Sequence, residues 1–187
     1  ENNTPLDAEV RAGRVLLPDE DLVCDMADAG RKRLKMLGLE RYEISNYART
    51  GRQSLHNLTY WDNQFYMGAG AAAHSCIRTD AGIERVENIS EVKTYIERAM
   101  NGLPTAAARS SISQKESMFE TMMLGLRKTE GVDAEAFKTR YGVSPFVYYQ
   151  DTIEKLQSAQ MIRIERGRIK PTLAGLDFHS HVALQFL

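Results

Sequence analysis

The sequence is poor in the features that mark disulfide-stabilised, membrane-spanning and strongly charged proteins. Its two cysteines, Cys24 and Cys76, cannot build a disulfide framework, so a reducing cytoplasm is expected. No apolar run approaches the roughly 20 residues that cross a bilayer, and residues 1–5 lack the basic head and apolar body of a signal peptide. The formal net charge of −1 provides no overall field to attract nucleic acid or a membrane surface.

The length and composition are those of a globular protein. With 187 residues and 43% hydrophobic side chains, the chain can bury a core in one domain or in two small ones. It opens on Glu1 rather than Met, and its first residues read as a loop. We therefore expect either a processed protein or a piece of a longer one, whose catalytic centre could lie outside this chain.

The first part of the chain alternates between helix and strand patterns, which is typical of α/β architecture. The clearest helix is predicted at 18–37, because it begins with Pro18 and an acidic run, repeats apolar residues at steps of three and four, and stops at Gly38. The other predicted segments are a strand at 41–45, a loop at 46–63, an extended Gly/Ala-rich stretch at 65–77, a strand at 83–87 and a helix at 90–100 that starts at Ser90.

The second part is predicted to be mostly helical, with a two-stranded wing. Two short runs alternate around Gly167, which is a hairpin signal, and Thr172 is suited to cap a last helix that runs to the end of the chain. The other predicted segments are a linker at 105–113 and helices at 114–128, 134–140 and 145–159. This order predicts a domain at 1–108 followed by a winged-helix-like domain at 109–187.

Aromatic, amide and imidazole side chains are concentrated in residues 42–61. Two interpretations of this cluster stay open. Aromatic rings beside a neutral imidazole are suited to a flat aromatic ligand, with histidine as an axial ligand of its metal. The same residues also suit a buried corner in which Asn and His satisfy the backbone of a loop.

The stretch Gly68–Ser75 is the second candidate site. Its G-x-G sequence would let a ligand approach the backbone closely, but position 73 is Ala where a dinucleotide fingerprint has Gly, so the phosphate-loop signal is weak.

Other residue groups give no strong metal or catalytic signal. His179 and His181 would point to different faces of a helix, and the two cysteines show no zinc spacing. Glu43 is the one carboxylate within the aromatic cluster. We expect it to be paired structurally rather than to act as a catalytic acid, since Arg41 and Arg49 are near it in sequence.

Three strings together resemble one family. They are YEISNYAR at 42–49, HNLTYW at 56–61 and YMGAGAAAHS at 66–75. They resemble the oxygen-independent coproporphyrinogen III oxidase-like proteins, which are radical S-adenosylmethionine (SAM) enzymes. The pattern H-N-x-x-Y-W resembles the haem-chaperone (HemW-like) branch, and the resemblance aligns this chain with the C-terminal half of such proteins.

The resemblance implies an α/β fold in which the end of a partial (β/α) barrel precedes a mostly helical, winged-helix-like accessory domain. It also implies a [4Fe-4S] cluster, SAM and, on the chaperone branch, haem in the full-length protein. The C-x-x-x-C-x-x-C motif that holds the cluster is not in this chain. We therefore expect the chain alone to contain no catalytic residue, to bind no cofactor tightly and to leave SAM uncleaved.

The resemblance also assigns individual positions. His56 corresponds to a candidate ligand of haem iron, and a segment that approaches the SAM pocket corresponds to the glycine-rich stretch. The candidate haem-binding residues are His56, Asn57, Tyr60 and Trp61, and the candidate SAM-pocket residues are Gly68, Gly70 and His74.

Two alternatives remain beside the haem chaperone. A true anaerobic oxidase would decarboxylate porphyrinogen propionates, and H-N-x-x-Y-W argues against it. A nucleic-acid-binding winged helix would use Arg163, Arg166, Arg168 and Lys170 of the hairpin to contact phosphates. It is not favoured, because the predicted recognition helix at 145–159 is not basic. The expected partners are a porphyrin or haem and an unidentified haem acceptor, and exposed barrel edges could support self-association.

Overall fold

The computed structural model describes residue 2 and residues 4–187. The helices are α1 (Pro5–Arg11), α2 (Glu20–Met36), α3 (Leu55–Trp61), α4 (Val92–Met100), α5 (Gln114–Gly125), α6 (Ala134–Tyr141), α7 (Pro145–Tyr148), α8 (Gln150–Ser158), α9 (Leu173–Asp177) and α10 (His179–Leu184). The strands are β1 (Glu40–Arg41), β2 (Tyr47–Ala48), β3 (His74–Thr79), β4 (Gly82–Asn88), β5 (Ala106–Ile112), β6 (Val132–Asp133), β7 (Ile162–Glu165) and β8 (Arg168–Pro171). No helix within the described ranges is long and apolar enough to cross a membrane.

The strands form three small sheets, in the orders β1-β2, β3-β4-β5 and β6-β8-β7. The mixed α/β class is as predicted, but the strand pairs described are antiparallel and close no barrel. The short connection between β3 and β4 explains why these strands are antiparallel rather than parallel, because only residues 80–81 join them. A two-residue connection suits an antiparallel pair, whereas a parallel pair needs a crossover of about a dozen residues or more.

The segment at 46–63, predicted to be a loop, contains helix α3. The Ser54 hydroxyl accepts the N–H of Asn57 and so caps the first turn. Asn63 follows the helix with a positive φ of 48°, a conformation that Asn tolerates better than most residues and that ends a helix. The whole HNLTYW string therefore lies on or beside one short helix rather than in a loop.

The segment at 105–113, predicted to be a linker, contains β5. Ile112 lies opposite Ile83 and Ala106 opposite Asn88, so this strand is the edge of the β3-β4-β5 sheet. Its small and polar residues gave no strand signal because an edge strand with exposed faces needs few large apolar side chains. The predicted boundary between residues 108 and 109 falls inside β5, and the division into two domains stays a prediction.

Several other boundaries differ from the predicted ones. The strand at 41–45 shortens to Glu40–Arg41, and the extended stretch at 65–77 becomes regular only in β3. The helix at 90–100 is capped by Glu91 rather than by Ser90. Tyr149 separates α7 from α8 and Phe178 separates α9 from α10, so two predicted helices are each broken once. Helix α1, capped by the Thr4 hydroxyl, lies in a segment that gave no helix prediction.

The main core lies in the C-terminal part of the chain. The small sheet there has three strands rather than the two of the predicted wing, and the winged-helix-like domain stays a prediction. Met118 and Met122 of α5 and Leu126 directly after it are at most 2% exposed. They pack with residues of α6, α8, α10 and the β6-β8-β7 sheet. The wing turns through Arg166 and Gly167, both with positive φ, which is typical of a tight two-residue hairpin.

The core leaves no room for a side chain at Gly175, where a Cβ would lie 1.9 Å from the Met161 carbonyl oxygen. We expect Gly175→Ala to lower the free energy of unfolding by about 1–3 kcal/mol, because the backbone must move to relieve the overlap. Gly30→Ala is the matched control, since nothing lies within 4 Å of a Cβ at this position of α2. It should raise the free energy of unfolding by about 0.5–1 kcal/mol, because alanine is the better helix former. Urea denaturation measures both values, and equal effects would contradict the packing described.

Candidate functional site

Helix α3 carries a row of aromatic rings that ends in an exposed imidazole. His56 and Tyr60 are one helical turn apart, and their ring centroids are 5.0 Å apart in an edge-to-face arrangement. Tyr60 in turn meets Tyr66, with centroids 4.6 Å apart. His56 is exposed at the outer end of the row, and its ring makes no hydrogen bond to any residue of the described ranges. Its nitrogen atoms are therefore open to an external partner.

The C-terminal end of α3 contacts an ion pair whose carboxylate is fully buried and whose arginine is partly exposed. The guanidinium carbon of Arg127 lies 4.2 Å from the centroid of the Trp61 ring. Arg127 also lies 3.5 Å from a carboxylate oxygen of Glu43, which is fully buried. The other oxygen of Glu43 accepts the backbone N–H of Ser45 at 2.8 Å. The expectation that Glu43 is paired is confirmed, but its arginine partner is Arg127 rather than Arg41 or Arg49.

The next two residues of the chain, Asp62 and Asn63, are held by contacts of their own. Asp62 forms an ion pair with Lys128, which is only 7% exposed. The side-chain amide of Asn63, itself buried, donates to the Thr121 hydroxyl at 3.0 Å, and Arg140 donates to the Asn63 carbonyl at 2.6 Å. Residues 61–63 are therefore fixed one after another to α5, α6 and the segment that follows α5.

The glycine-rich stretch folds back on its own strand. The N–H of Gly68 donates to the Ser75 hydroxyl at 2.9 Å, and the N–H of Gly70 donates to the Tyr95 hydroxyl at 3.1 Å. A Cβ at Gly68 would lie 2.2 Å from the His74 carbonyl oxygen, so only glycine allows this approach. Both amides are used inside the chain, which gives the glycines a structural reason to be there.

Tyr66 connects the two predicted sites. Its backbone N–H and carbonyl pair with the carbonyl and N–H of Cys76 on β3, at 2.9 and 3.0 Å. Its ring meets Tyr60 on α3. His74 lies at the start of β3, exposed and opposite Glu87, and does not belong to the row of rings. The structure thus places the glycine-rich stretch beside α3, and the roles of Gly68, Gly70 and His74 toward SAM stay predictions.

The remaining histidines are separate from α3. His179 is buried, and its Nε2 lies 2.7 Å from the Met123 carbonyl, to which the N–H tautomer donates. Burial lowers the pKa of His179 below its ordinary value, so the neutral ring is favoured. His181 is exposed. Within the described ranges, no group of three metal-binding side chains is placed to hold an ion.

Sequence reasoning missed the residues that hold α3. Arg127 and Lys128 lie 84 and 66 positions from their partners Glu43 and Asp62. No local pattern could have assigned them a partner.

The Glu43 carboxylate gives the prediction of this section. We expect Glu43→Gln to lower the free energy of unfolding by about 1–3 kcal/mol, because Arg127 loses its charged partner in a buried position. Haem binding should change less, since glutamine still offers an oxygen that can hold the Arg127 guanidinium over Trp61. Glu97→Gln, at an exposed position of α4, is the control and should leave stability unchanged. An unaltered melting curve together with abolished haem binding would contradict this structural role.

Comparison with known proteins places the chain in a family. Residues 112–178 match the HemN C-terminal domain. The chain is 34% identical over 179 residues to the haem chaperone HemW of Bacillus subtilis, a match that covers 95% of this chain and 46% of that protein. It is 33% identical over 195 residues to the mitochondrial radical S-adenosyl methionine domain-containing protein 1 of Bos taurus. This match covers 100% of this chain and 44% of that protein.

The fold has a solved counterpart. Coproporphyrinogen III oxidase (HemN) from Escherichia coli, a radical SAM enzyme, superposes with a TM-score of 0.66 at 13% identity, covering 91% of this chain and 42% of that one. The chain spans about half the length of the curated relatives it matches. It therefore belongs with the proteins related to HemN and HemW and corresponds to the C-terminal half of these proteins.

Proposed function

We propose that this chain carries the haem-contacting helix of a radical SAM haem chaperone, with His56 as the axial ligand of the iron. The observation that carries the proposal is the exposed imidazole of His56, without a hydrogen-bond partner in the described part of the chain, on a helix whose other end is fixed. A histidine that satisfied a loop backbone would instead have its ring nitrogens occupied. The similarity to HemW supports this choice.

The residues around His56 suit a porphyrin. Haem supplies an iron atom that an imidazole nitrogen can coordinate. Tyr60 meets the His56 ring edge-on and would present an aromatic surface beside the macrocycle. Asn57 lies next to His56 in the first turn, and Trp61 lies at the end of the same helix. These four residues are the proposed haem site.

The iron–sulfur cluster and SAM belong to the proposal for the full-length protein. Cys24 is exposed and Cys76 is buried, and neither has a cysteine partner. We propose that the cluster ligands are supplied elsewhere in the full-length protein and that Gly68, Gly70 and His74 approach SAM from the stretch beside Tyr66. The low cysteine content also supports a reducing cytoplasm as its location.

The alternatives have less support. The HemN structure shares the fold at 13% identity, which carries no argument for decarboxylation of a porphyrinogen. For nucleic acid, the wing offers few free cations, because Arg163 and Lys170 pair with Glu165 and Arg168 pairs with Asp133. The haem acceptor is proposed only as a protein partner of unspecified identity.

Self-association is proposed through the open edge of β5 rather than through barrel strands, because β5 has a paired neighbour on one side only. We expect sedimentation velocity of this chain to show a dimer whose fraction rises with protein concentration. A single monomeric species at high concentration would contradict the proposal.

The central test is His56→Ala in the full-length protein. We expect weaker haem binding and a changed Soret band, because the iron loses an axial nitrogen. Trp61→Ala should weaken binding with a smaller spectral change, because the ligand itself remains. An unchanged Soret band in a folded His56→Ala protein would overturn the assignment.

The structure refines the controls for that test. His181→Ala removes an exposed imidazole on α10 and should leave the haem spectrum unchanged. His179→Ala should also leave the spectrum unchanged, but it removes a buried hydrogen bond to Met123 and is expected to lower stability. Haem titrations are therefore compared at a temperature at which all variants are folded.

A further inference from the structure

We propose that Arg127 is a positioning residue for haem binding, which acts by fixing the C-terminal end of α3 so that His56 is presented in one orientation. This inference rests on the proposed function, because it concerns how the same helix is held. We call the contacts Trp61–Arg127 and Asp62–Lys128 the α3 clamp.

The clamp joins two consecutive residues of one segment to two consecutive residues of another. Arg127 covers one face of the Trp61 ring at 4.2 Å, and Lys128 pairs with Asp62. A single contact would leave the helix free to rotate about it, whereas two adjacent contacts with different directions fix its rotation as well as its position.

Arg127 is itself held in place from behind. Its partner Glu43 is fully buried and is oriented by the N–H of Ser45. Leaving a buried carboxylate without a charged partner costs free energy of folding. The ion pair with Glu43 therefore keeps the Arg127 guanidinium in its position over the Trp61 ring. A planar guanidinium stacks on a ring, and an ammonium group in its place would keep the charge but lose that shape.

The other end of α3 is held less firmly, since the N–H of Ser54 donates to the Tyr42 hydroxyl at 3.4 Å. Within the described ranges, the His56 ring meets the edge of the Tyr60 ring and makes no hydrogen bond. His56 lies five residues before Trp61, which is less than two helical turns, so a small rotation at the clamp moves the imidazole directly. Because Arg127 covers one face of the Trp61 ring, this ring supports the helix as well as belonging to the proposed haem site.

The test uses Arg127→Lys in the full-length protein, with two measurements. Hydrogen exchange of residues 54–63 without haem reports how firmly α3 is held, and haem titration reports affinity and the Soret band. Loss of a cation–π contact changes an equilibrium by about 2- to 30-fold. We therefore expect faster exchange in α3 and a Kd for haem raised by about that factor, with a broadened or shifted Soret band.

Two other variants keep the result interpretable. Arg33→Lys makes the same change at an exposed position of α2 and should alter neither measurement. Asp62→Asn weakens the second contact of the clamp but keeps a carbonyl oxygen that can accept from the Lys128 ammonium, so it is the milder variant if Arg127→Lys fails to fold. It should also speed exchange in α3 and weaken haem binding.

The outcomes separate this inference from the proposed function. If His56→Ala alters haem binding and both clamp variants match the wild type, the positioning role is overturned and the haem proposal stands. Faster exchange with unchanged haem affinity and spectrum would also overturn it, because the clamp would then be structural only. If His56→Ala leaves haem binding unaltered, the proposed function itself fails, and the positioning role fails with it.

Discussion

The burial of the Glu43 carboxylate is the constraint on which the candidate site depends. A charged group that is fully buried must be compensated, and here Arg127 and the N–H of Ser45 do so. Arg127 is thereby fixed in the one place where it can also cover Trp61. The same ion pair consequently determines three things together: the conformation around Glu43, the position of the end of α5 and the position of the end of α3.

The sequence predicted the elements whose signals are local. Helices α2 and α5, the N-cap at Thr172 and the hairpin around Gly167 lie where expected, although no apolar side chain of α2 is buried. Helix α3 was missed because seven residues are too short to show a periodic stripe, and its start depends on the single hydroxyl of Ser54. Strand β5 was missed because its pairing with β4, rather than its own residues, makes it a strand.

At the candidate site, too, contacts within one short string could be predicted from the sequence, whereas contacts between distant segments could not. His56 and Tyr60 could be predicted to share a surface because they belong to one short string, and the structure does bring their rings together. The groups that fix this string could not be predicted, since Arg127, Lys128, Thr121 and Arg140 come from later parts of the chain. Glu43 was expected to be paired, but a partner 84 positions away leaves no trace in the local pattern.

Under the proposed function, the contacts of α3 give a role to a segment that contains none of the proposed haem ligands. Arg127 and Lys128 lie inside the segment 112–178 that matches the HemN C-terminal domain, whereas His56 lies well before it. A rigid core supports the end of the helix, and the exposed end is left free to contact a ligand. Because a ligand held by one imidazole gains affinity when that imidazole is already oriented, the core would contribute to the proposed haem binding without touching the ligand. Substitutions in this domain are therefore expected to affect haem through α3, in proportion to how directly they disturb residues 61–63.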